Sequence, residues 1–292
     1  MPEAPPASLA GRTCLVTGAS AGIGRATARG LARLGGRVIL AVRNLEKGEA
    51  ARREIVDATA NRDVEVVRLD VASPRSICDF ARELAGRTAS LDVLVNNAGI
   101  WSERKKKGPD GIELTWATNV LGYFLVSELL LPLLRAAPRA RIVNVASRLA
   151  RDLDLADVQF ETRPYSGQTA YAQSKQADRM LTWALARRLE KTRVTANAMH
   201  PGFVATEIFG KGGGLKSLAI SFYSKLRAKK PAEGADTVVW LAASPEVEGR
   251  TGLFWVDRHE WRCRFRDEAS EEELWRLCER MTREPPPSPA GP

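Results

Sequence analysis

The chain has 292 residues, 44% of them hydrophobic, which fits one large α/β domain or two small ones. Its net charge of +9 comes without a recognition module or basic–aromatic interleaving, so a basic surface that attracts a polyanionic small molecule is expected rather than nucleic-acid binding. Four scattered cysteines without a C-x-x-C pair indicate reduced thiols in the cytoplasm, and two histidines argue against a metal site.

Short apolar runs alternate with amphipathic segments along the chain. Strands are predicted at 12–17, 37–42, 64–69, 91–95, 141–146, 193–199 and 252–256. Helices are predicted after the first strand, around Tyr171, and at 45–59, 74–86, 111–134, 231–243 and 270–282. Mostly continuous apolar strands between helices predict a doubly wound parallel sheet of about seven strands with helices on both faces. No linker divides it, so we expect an N-terminal tail (1–10), one domain (11–283) and a disordered proline-rich tail (284–292).

A glycine-rich turn joins the first strand to the first helix. It contains Gly18, Ser20, Gly22, Ile23 and Gly24 in the spacing G-x-x-x-G-x-G. In this context, backbone N–H groups and a helix N-terminus hold a pyrophosphate, although the spacing differs from the common G-x-G-x-x-G fingerprint. A glycine-rich turn can also be only a turn, but its position favours dinucleotide binding.

Arg43 and Asn44 follow the second strand directly. NAD-selective sites carry an acidic residue here that binds the ribose 2′-hydroxyl. A guanidinium would instead pair with a 2′-phosphate, so Arg43 indicates NADP(H), with Ser20 and Asn44 as helpers. The alternative is a solvated arginine at a helix start.

Polar and small residues follow the later strands as well. They are Asp70 and Val71, the run Asn96-Asn97-Ala98-Gly99, Ser147, and Pro201-Gly202 with Thr206 beyond. Ligands bind at the carboxyl ends of strands in such sheets, so these residues are expected to line one crevice. Asn119 lies inside a predicted helix, where asparagine is mildly unfavourable and usually caps the helix or faces solvent.

Tyr171 and Lys175 are four positions apart at the start of a long helix, and therefore share one face. A neighbouring cation favours the ionised phenol, so this pair could exchange a proton with a substrate oxygen near neutral pH. Alone, the pattern is more typical of an ordinary surface helix.

Three segments have no regular pattern. Residues 101–110 are a polar loop with a basic run at 104–107, 148–168 contain no long element, and 209–230 resemble a lid. Apolar residues at 203, 208, 209, 222 and 223 indicate an apolar substrate or simply lid packing. The N-terminus has no apolar run, so no signal peptide or transmembrane anchor is expected.

Taken together, these motifs resemble the short-chain dehydrogenase/reductase family, whose fold is the Rossmann fold. The glycine turn, Asp70-Val71, Asn96 to Gly99, Asn119, Ser147, Tyr171-x-x-x-Lys175 and Pro201-Gly202 occur in the family order over about 11–282. The resemblance implies that Tyr171 is the general acid/base, and that Ser147 binds the substrate oxygen. Lys175 would lower the tyrosine pKa and bind the nicotinamide ribose, and Asn119 would anchor a water linking Lys175 to solvent.

The resemblance also implies the remaining cofactor contacts. The glycine turn would bind the pyrophosphate, and Arg43 is typical of NADP-preferring members. Asp70 and Val71 would contact the adenine. The other implied contacts are Asn97, Ala98 and Gly99 near the adenosine ribose, and Pro201, Gly202, Val204 and Thr206 near the nicotinamide.

Within the family, the chain is most similar to retinol dehydrogenase-like and WW-domain oxidoreductase-like members. The shared features are residues 38–43, 119–124, 153–159 and 272–278, and the long interval from Ser147 to Tyr171. This similarity predicts an NADP(H)-dependent enzyme that interconverts carbonyls and alcohols, with retinal-like compounds among its substrates. It also predicts a homodimer or homotetramer. A non-catalytic dinucleotide-binding or redox-sensing protein is the alternative.

Overall fold

The computed structural model describes residues 8–203, 229–263 and 265–283. In these ranges eight strands form one sheet in the order β3-β2-β1-β4-β5-β6-β7-β8. They are β1 (Thr13–Thr17), β2 (Arg37–Val42), β3 (Val64–Arg68), β4 (Val93–Asn96), β5 (Ala140–Val145), β6 (Val194–His200), β7 (Phe254–Val256) and β8 (His259–Glu260). Strands β1 to β7 are parallel, which confirms the predicted sheet. The additional β8 pairs antiparallel with β7 and is too short to produce a sequence pattern.

Helices connect the parallel strands, and one more helix follows the last strand. They are α1 (Gly22–Arg33), α2 (Leu45–Thr59), α3 (Pro74–Ala85), α4 (Leu114–Trp116), α5 (Gly122–Ala136), α6 (Gly167–Arg188), α7 (Pro231–Ala243) and α8 (Glu268–Arg283). The predicted helix 111–134 is interrupted, because a π-helical turn at Ala117–Leu121 joins α4 to α5. Such turns are rare and frequently lie at functional sites.

Apolar side chains cover both faces of the sheet. Leu15 and Leu94 point to the face covered by α3, α5, α6 and α8. Val16 and Val95 point to the opposite face, covered by α1, α2 and α7. Successive strand residues face opposite sides, so an uninterrupted apolar strand is buried on both, as a doubly wound fold requires.

The packed region begins two residues before the predicted domain start. Leu9 is buried, and its N–H donates a hydrogen bond to the Leu34 carbonyl oxygen at 2.8 Å. The predicted tail 284–292 and most of the predicted lid 209–230 lie outside the described residues.

The stretch Leu114–Ala136 is apolar and long enough to cross a membrane, with a mean hydropathy of 1.5. It is the one helix in the described ranges that meets this criterion, and 67% of its apolar window is buried inside the fold. Its contacts with α3 and the sheet are those of a core helix.

The strand order reverses at β1, which pairs with β2 on one side and β4 on the other. Ligands of open α/β sheets bind in the crevice at such a switch point, beyond the carboxyl ends of the strands. The glycine turn follows β1 and the Asn97-Ala98-Gly99 segment follows β4, so both predicted motifs lie at this crevice.

Candidate active site

The glycine turn packs against the loop that follows β4. Gly18 and Gly22 have positive φ angles of 66° and 55°. A Cβ on Gly24 would lie 2.4 Å from Asn97 Nδ2 and 2.5 Å from the Gly18 carbonyl oxygen. Only glycine fits at position 24, and its lack of a side chain lets the turn pack closely against the loop after β4.

The N-terminus of α1 has no capping side chain. Ala21 occupies the N-cap position, and the first turn contains no acidic residue. By contrast, Asn44 caps α2 and Ser73 caps α3. The first N–H groups of α1 and its positive dipole end are therefore available to an anion, as a pyrophosphate site requires.

Asn97 connects the ends of β1 and β4. Its Nδ2 donates to the Thr17 carbonyl oxygen at 2.9 Å. Thr17 Oγ1 accepts hydrogen bonds from the backbone N–H groups of Asn97 at 2.9 Å and Ala98 at 3.0 Å. The Asn97 side chain therefore positions the glycine turn, a role the sequence did not predict.

Arg43 lies exposed at the end of β2, and no carboxylate among the described residues pairs with it. Asn44 Oδ1 accepts a hydrogen bond from the Lys47 N–H at 2.8 Å, so its side chain serves the helix cap. Asp70 Oδ1 accepts one from the Ala72 N–H at 3.0 Å, and Val71 is buried. Of these four residues, Arg43 has the charge and exposure to bind an external phosphate.

Ser147, Tyr171 and Lys175 converge at the end of β5. Ser147 lies two residues beyond the end of the strand, while Tyr171 and Lys175 lie near the start of α6. The Ser147 and Tyr171 side chains share a hydrogen bond, and Lys175 Nζ lies 5.9 Å from the centre of the Tyr171 ring. All three are buried, so they interact in a medium that screens charge weakly.

Burial raises the pKa of Tyr171 above its ordinary value. The Lys175 charge and the Ser147 hydrogen bond lower this pKa, but burial and the Asp178 charge outweigh them. The predicted influence of Lys175 is present, yet the net shift has the opposite sign. Tyr171 is accordingly a neutral phenol at pH 7 and can donate a proton.

Asn119 lies in the π-helical turn and binds the loop after β4. Its Oδ1 accepts from the Ile100 N–H at 2.9 Å, and its Nδ2 donates to the Ile100 carbonyl oxygen at 3.1 Å and to Ser174 Oγ at 3.0 Å. Ser174 Oγ in turn donates to the Tyr171 carbonyl oxygen at 2.8 Å. Asn119 therefore ties this loop to α6, while its link to Lys175 through a water stays a prediction.

Three further side chains surround the Tyr171–Lys175 pair, and none of them was predicted from the sequence. The Trp101 ring lies 5.0 Å from the Tyr171 ring, and the Tyr123 ring lies 5.1 Å from Lys175 Nζ. Asp178 Oδ2 lies 2.8 Å from Lys175 Nζ. The Asp178 contact had a sequence signal, because residues three apart share a helix face.

The loop after β6 borders the same crevice. Gly202 has a φ of 83°, and a Cβ there would lie 2.8 Å from Lys229 Cδ. Phe203 is 47% exposed, and Leu149, two residues after Ser147, is 42% exposed. The other residues predicted on this side lie outside the described residues: Val204, Thr206, Ile208, Phe209, Phe222 and Tyr223.

Sequence comparison finds relatives over nearly the whole chain. The short chain dehydrogenase family profile matches residues 12–213. Human retinol dehydrogenase 14 is 38% identical over 296 residues, covering 94% of this chain and 88% of the relative. Mouse polyprenol dehydrogenase is 38% identical over 282 residues, covering 93% and 84%.

Solved structures share the fold. An uncharacterized protein from Mycobacterium paratuberculosis superposes with a TM-score of 0.74 at 32% identity, covering 96% of this chain and 97% of the other. An Escherichia coli protein described as a short chain dehydrogenase, in complex with NADPH, gives 0.68 at 27% identity, covering 86% and 98%.

Proposed function

This chain belongs to the short-chain dehydrogenase family, in its retinol dehydrogenase-like branch, and from that premise we propose that it is an NADP(H)-dependent oxidoreductase. It interconverts an apolar aldehyde or ketone and the corresponding alcohol. The observation that carries the proposal is the hydrogen-bonded Ser147–Tyr171 pair beside Lys175 at the carboxyl end of β5.

The described residues fit a dinucleotide phosphate. Gly18 and Gly24 allow the turn to pack closely against the loop after β4, and the N-terminus of α1, which would face a pyrophosphate, has no side-chain cap. The exposed Arg43 would bind the 2′-phosphate that distinguishes NADP(H) from NAD(H). The NADPH bound to the related Escherichia coli protein supports this choice.

The catalytic side chains serve the oxygen of the substrate. The nicotinamide, when bound, supplies the hydride for the carbonyl carbon. Tyr171 donates its proton to the carbonyl oxygen, and Ser147 hydrogen-bonds the same oxygen more strongly as negative charge develops. Lys175 places a positive charge beside Tyr171 and stabilises the phenolate that remains.

Apolar side chains at the mouth of the crevice support an apolar substrate. Trp101 lies on Tyr171, and Leu149 and Phe203 are exposed after β5 and β6. The relatives are named for retinol and polyprenol, both long apolar alcohols. We therefore propose retinal-like and other long-chain aldehydes as the substrate class.

A substrate panel tests this function. The purified chain is assayed with retinal, a long-chain polyprenyl aldehyde, a short aliphatic aldehyde and a steroid ketone, each with NADPH and with NADH. We expect consumption of NADPH with the long apolar aldehydes, and a loss of at least about 10²-fold in turnover for Tyr171→Phe.

Tyr165→Phe is the matched control. Tyr165 donates a hydrogen bond to the Ser102 carbonyl oxygen at 2.9 Å, away from Ser147, so its loss should leave turnover near that of the wild type. Turnover retained by Tyr171→Phe would overturn the catalytic role. A strong preference for NADH would overturn the role of Arg43, and NADPH binding without turnover of any carbonyl would favour a non-catalytic dinucleotide-binding protein.

A further inference from the structure

Lys175 and Asp178 form an ion pair inside the fold. Asp178 Oδ2 lies 2.8 Å from Lys175 Nζ, and the two side chains are 0% and 5% exposed. Among the described residues, Lys175 is the one hydrogen-bond donor to the Asp178 carboxylate. Burying a carboxylate costs several kcal/mol unless it is paired, so its position here depends on the lysine.

Two of the three N–H groups of the Lys175 ammonium donate to acceptors on α6 and β5. One donates to Asp178, and another donates to the Val145 carbonyl oxygen at 3.0 Å. The Tyr123 hydroxyl also shares a hydrogen bond with Lys175, and on the proposed function a hydroxyl of the cofactor ribose would bind the same ammonium. A lysine side chain has four rotatable bonds, so these hydrogen bonds determine where its ammonium lies.

Tyr123, Cys278 and Arg179 lie around this pair, and the Arg179 charge lowers the pKa of Asp178. Tyr123 lies on α5 and Cys278 lies on α8. Burial raises the pKa values of both side chains, so both are neutral. The Arg179 guanidinium, on α6, donates to the Ser147 carbonyl oxygen and stacks 3.5 Å above the Phe254 ring. Asp178 also lines a cavity of about 10 Å³, which otherwise has only uncharged lining residues: Tyr123, Phe124, Ser127, Asn144, Leu181, Leu185 and Trp275. Asp178 is thus the one acidic group in contact with the catalytic lysine in the described part of the chain.

We propose that Asp178 is a positioning residue for hydride transfer. It holds the Lys175 ammonium in place, and its negative charge keeps the Tyr171–Lys175 pair protonated to higher pH. This inference rests on the proposed function, which supplies the reaction (hydride transfer) and the ligand of Lys175 (the cofactor ribose).

The direction of the pH effect follows from the charges. The Asp178 charge raises the pKa of Tyr171 and of Lys175, although burial alone would lower the pKa of Lys175. Carbonyl reduction needs Tyr171 as a phenol and Lys175 as an ammonium. Without the Asp178 charge, both groups lose their protons at lower pH, and either loss stops the reaction.

The experiment compares Asp178→Asn with Asp178→Ala in carbonyl reduction by NADPH across pH. Both variants remove the charge, so in both the alkaline limb of kcat should move to lower pH by about one unit or more. The asparagine retains an oxygen that accepts from Lys175, whereas alanine does not. On the pH-independent plateau we therefore expect Asp178→Ala to lose about tenfold in kcat and Asp178→Asn to recover most of it.

Asp79→Asn is the control for a change of one charge. Asp79 is 55% exposed and pairs with Arg82 on the surface of α3. Its variant should have the wild-type pH profile, since solvent screens its charge.

A second readout does not depend on turnover. In the Tyr171→Phe background, ¹³C NMR of lysines labelled at Cε follows the proton on Lys175, whose resonance is assigned by its absence in Lys175→Ala. Adding Asp178→Asn should lower the pH at which this resonance titrates. If the wild type reduced no carbonyl, the proposed function would fail while this titration still tested the ion pair.

Two results would overturn the proposal. One is an alkaline limb of kcat in Asp178→Asn that is unchanged, or that lies at higher pH than in the wild type. This result counts only if Tyr171→Phe inactivates the enzyme. The other is a Lys175 resonance that titrates at the same pH with and without Asp178. Circular dichroism of each variant separates these results from a failure to fold.

Discussion

The indole ring of Trp101 lies on the phenol ring of Tyr171, with 5.0 Å between the ring centroids and 36° between the planes. Trp101 follows β4 while Tyr171 belongs to α6, so the contact joins two sides of the crevice. Trp101 Nε1 donates to Glu103 Oε1 at 2.9 Å, which helps to fix the indole ring. The ring is a wall of the site against which a substrate on Tyr171 would lie.

Removal of this wall should weaken catalysis moderately. An aromatic pair contributes about 0.5–1.5 kcal/mol beyond its buried area, so we expect Trp101→Ala to lower kcat/KM for long apolar aldehydes by about 3–10-fold. Trp101→Phe should recover most of the loss. Steady-state kinetics with the long-chain aldehydes measures both effects.

Trp240→Ala is the matched control. Trp240 and Trp255 also form an aromatic pair, with centroids 5.1 Å apart, on the side of the sheet covered by α7. Its loss should lower thermal stability and leave kcat/KM unchanged. Equal losses of activity in both alanine variants would contradict a specific role for Trp101.

Arg43 should determine the preference for NADPH. A charge-assisted hydrogen bond contributes about 1.5–3 kcal/mol, so Arg43→Ala should lower kcat/KM for NADPH by about 10–100-fold and leave that for NADH unchanged. Arg52→Ala removes a guanidinium that pairs with Glu49 farther along α2, and it should change neither value. A parallel loss with both cofactors in Arg43→Ala would show that the arginine does not discriminate between them.

Gly24 should not tolerate a side chain. An alanine Cβ would overlap Asn97 Nδ2 and the Gly18 carbonyl oxygen, and would push the glycine turn away from β4. Such overpacking costs about 1–3 kcal/mol, and the displaced N–H groups should also weaken NADPH binding. Thermal unfolding and the quenching of tryptophan fluorescence by NADPH measure the two effects.

Gly86→Ala is the control for this glycine. Gly86 follows α3 with a φ of −78°, and the nearest atom to its Cβ would be 3.5 Å away. The variant should keep wild-type stability and cofactor affinity. If Gly24→Ala behaved in the same way, the close packing of the turn on Asn97 would have no functional importance.

The positions of the motifs were predictable because all parallel strands end at the same edge of the sheet. Asn44 caps α2, and Pro231 begins α7, so the bounds of both helices were predicted correctly. The burial of Asp178 was not predictable, because it depends on α5 and α8, which are distant in sequence. The Trp101 contact depends on a loop whose path is fixed by Asn119 through Ile100.

The segment between β5 and α6 is irregular, and Asp157 holds it together. The Asp157 carboxylate accepts hydrogen bonds from the N–H groups of Glu161 at 2.6 Å, Thr162 at 3.0 Å and Arg163 at 3.1 Å. Gln173, in α6, donates from Nε2 to the Val158 carbonyl oxygen at 2.8 Å. The turn made by Asp157 is therefore fastened to α6 beside Tyr171.

Because of this turn, the free energy of unfolding should depend on pH in the acid range. Burial alone would raise the pKa of Asp157, but the hydrogen bonds from Glu161, Thr162 and Arg163 lower it to about 2. An unfolded aspartate has a pKa of about 3.9. The ionised carboxylate therefore stabilises the fold above about pH 4, and this contribution is lost as the pH falls through about 2.

Asp157→Asn lacks that carboxylate. We expect urea unfolding to show a lower stability of the variant at pH 7, and a difference from the wild type that shrinks as the pH falls below 4. The variant should also have a raised KM for the aldehyde with a smaller change in kcat, since the loosened turn borders the site without touching Ser147. A stability difference that stayed constant down to pH 3 would show that the Asp157 charge does not hold the turn.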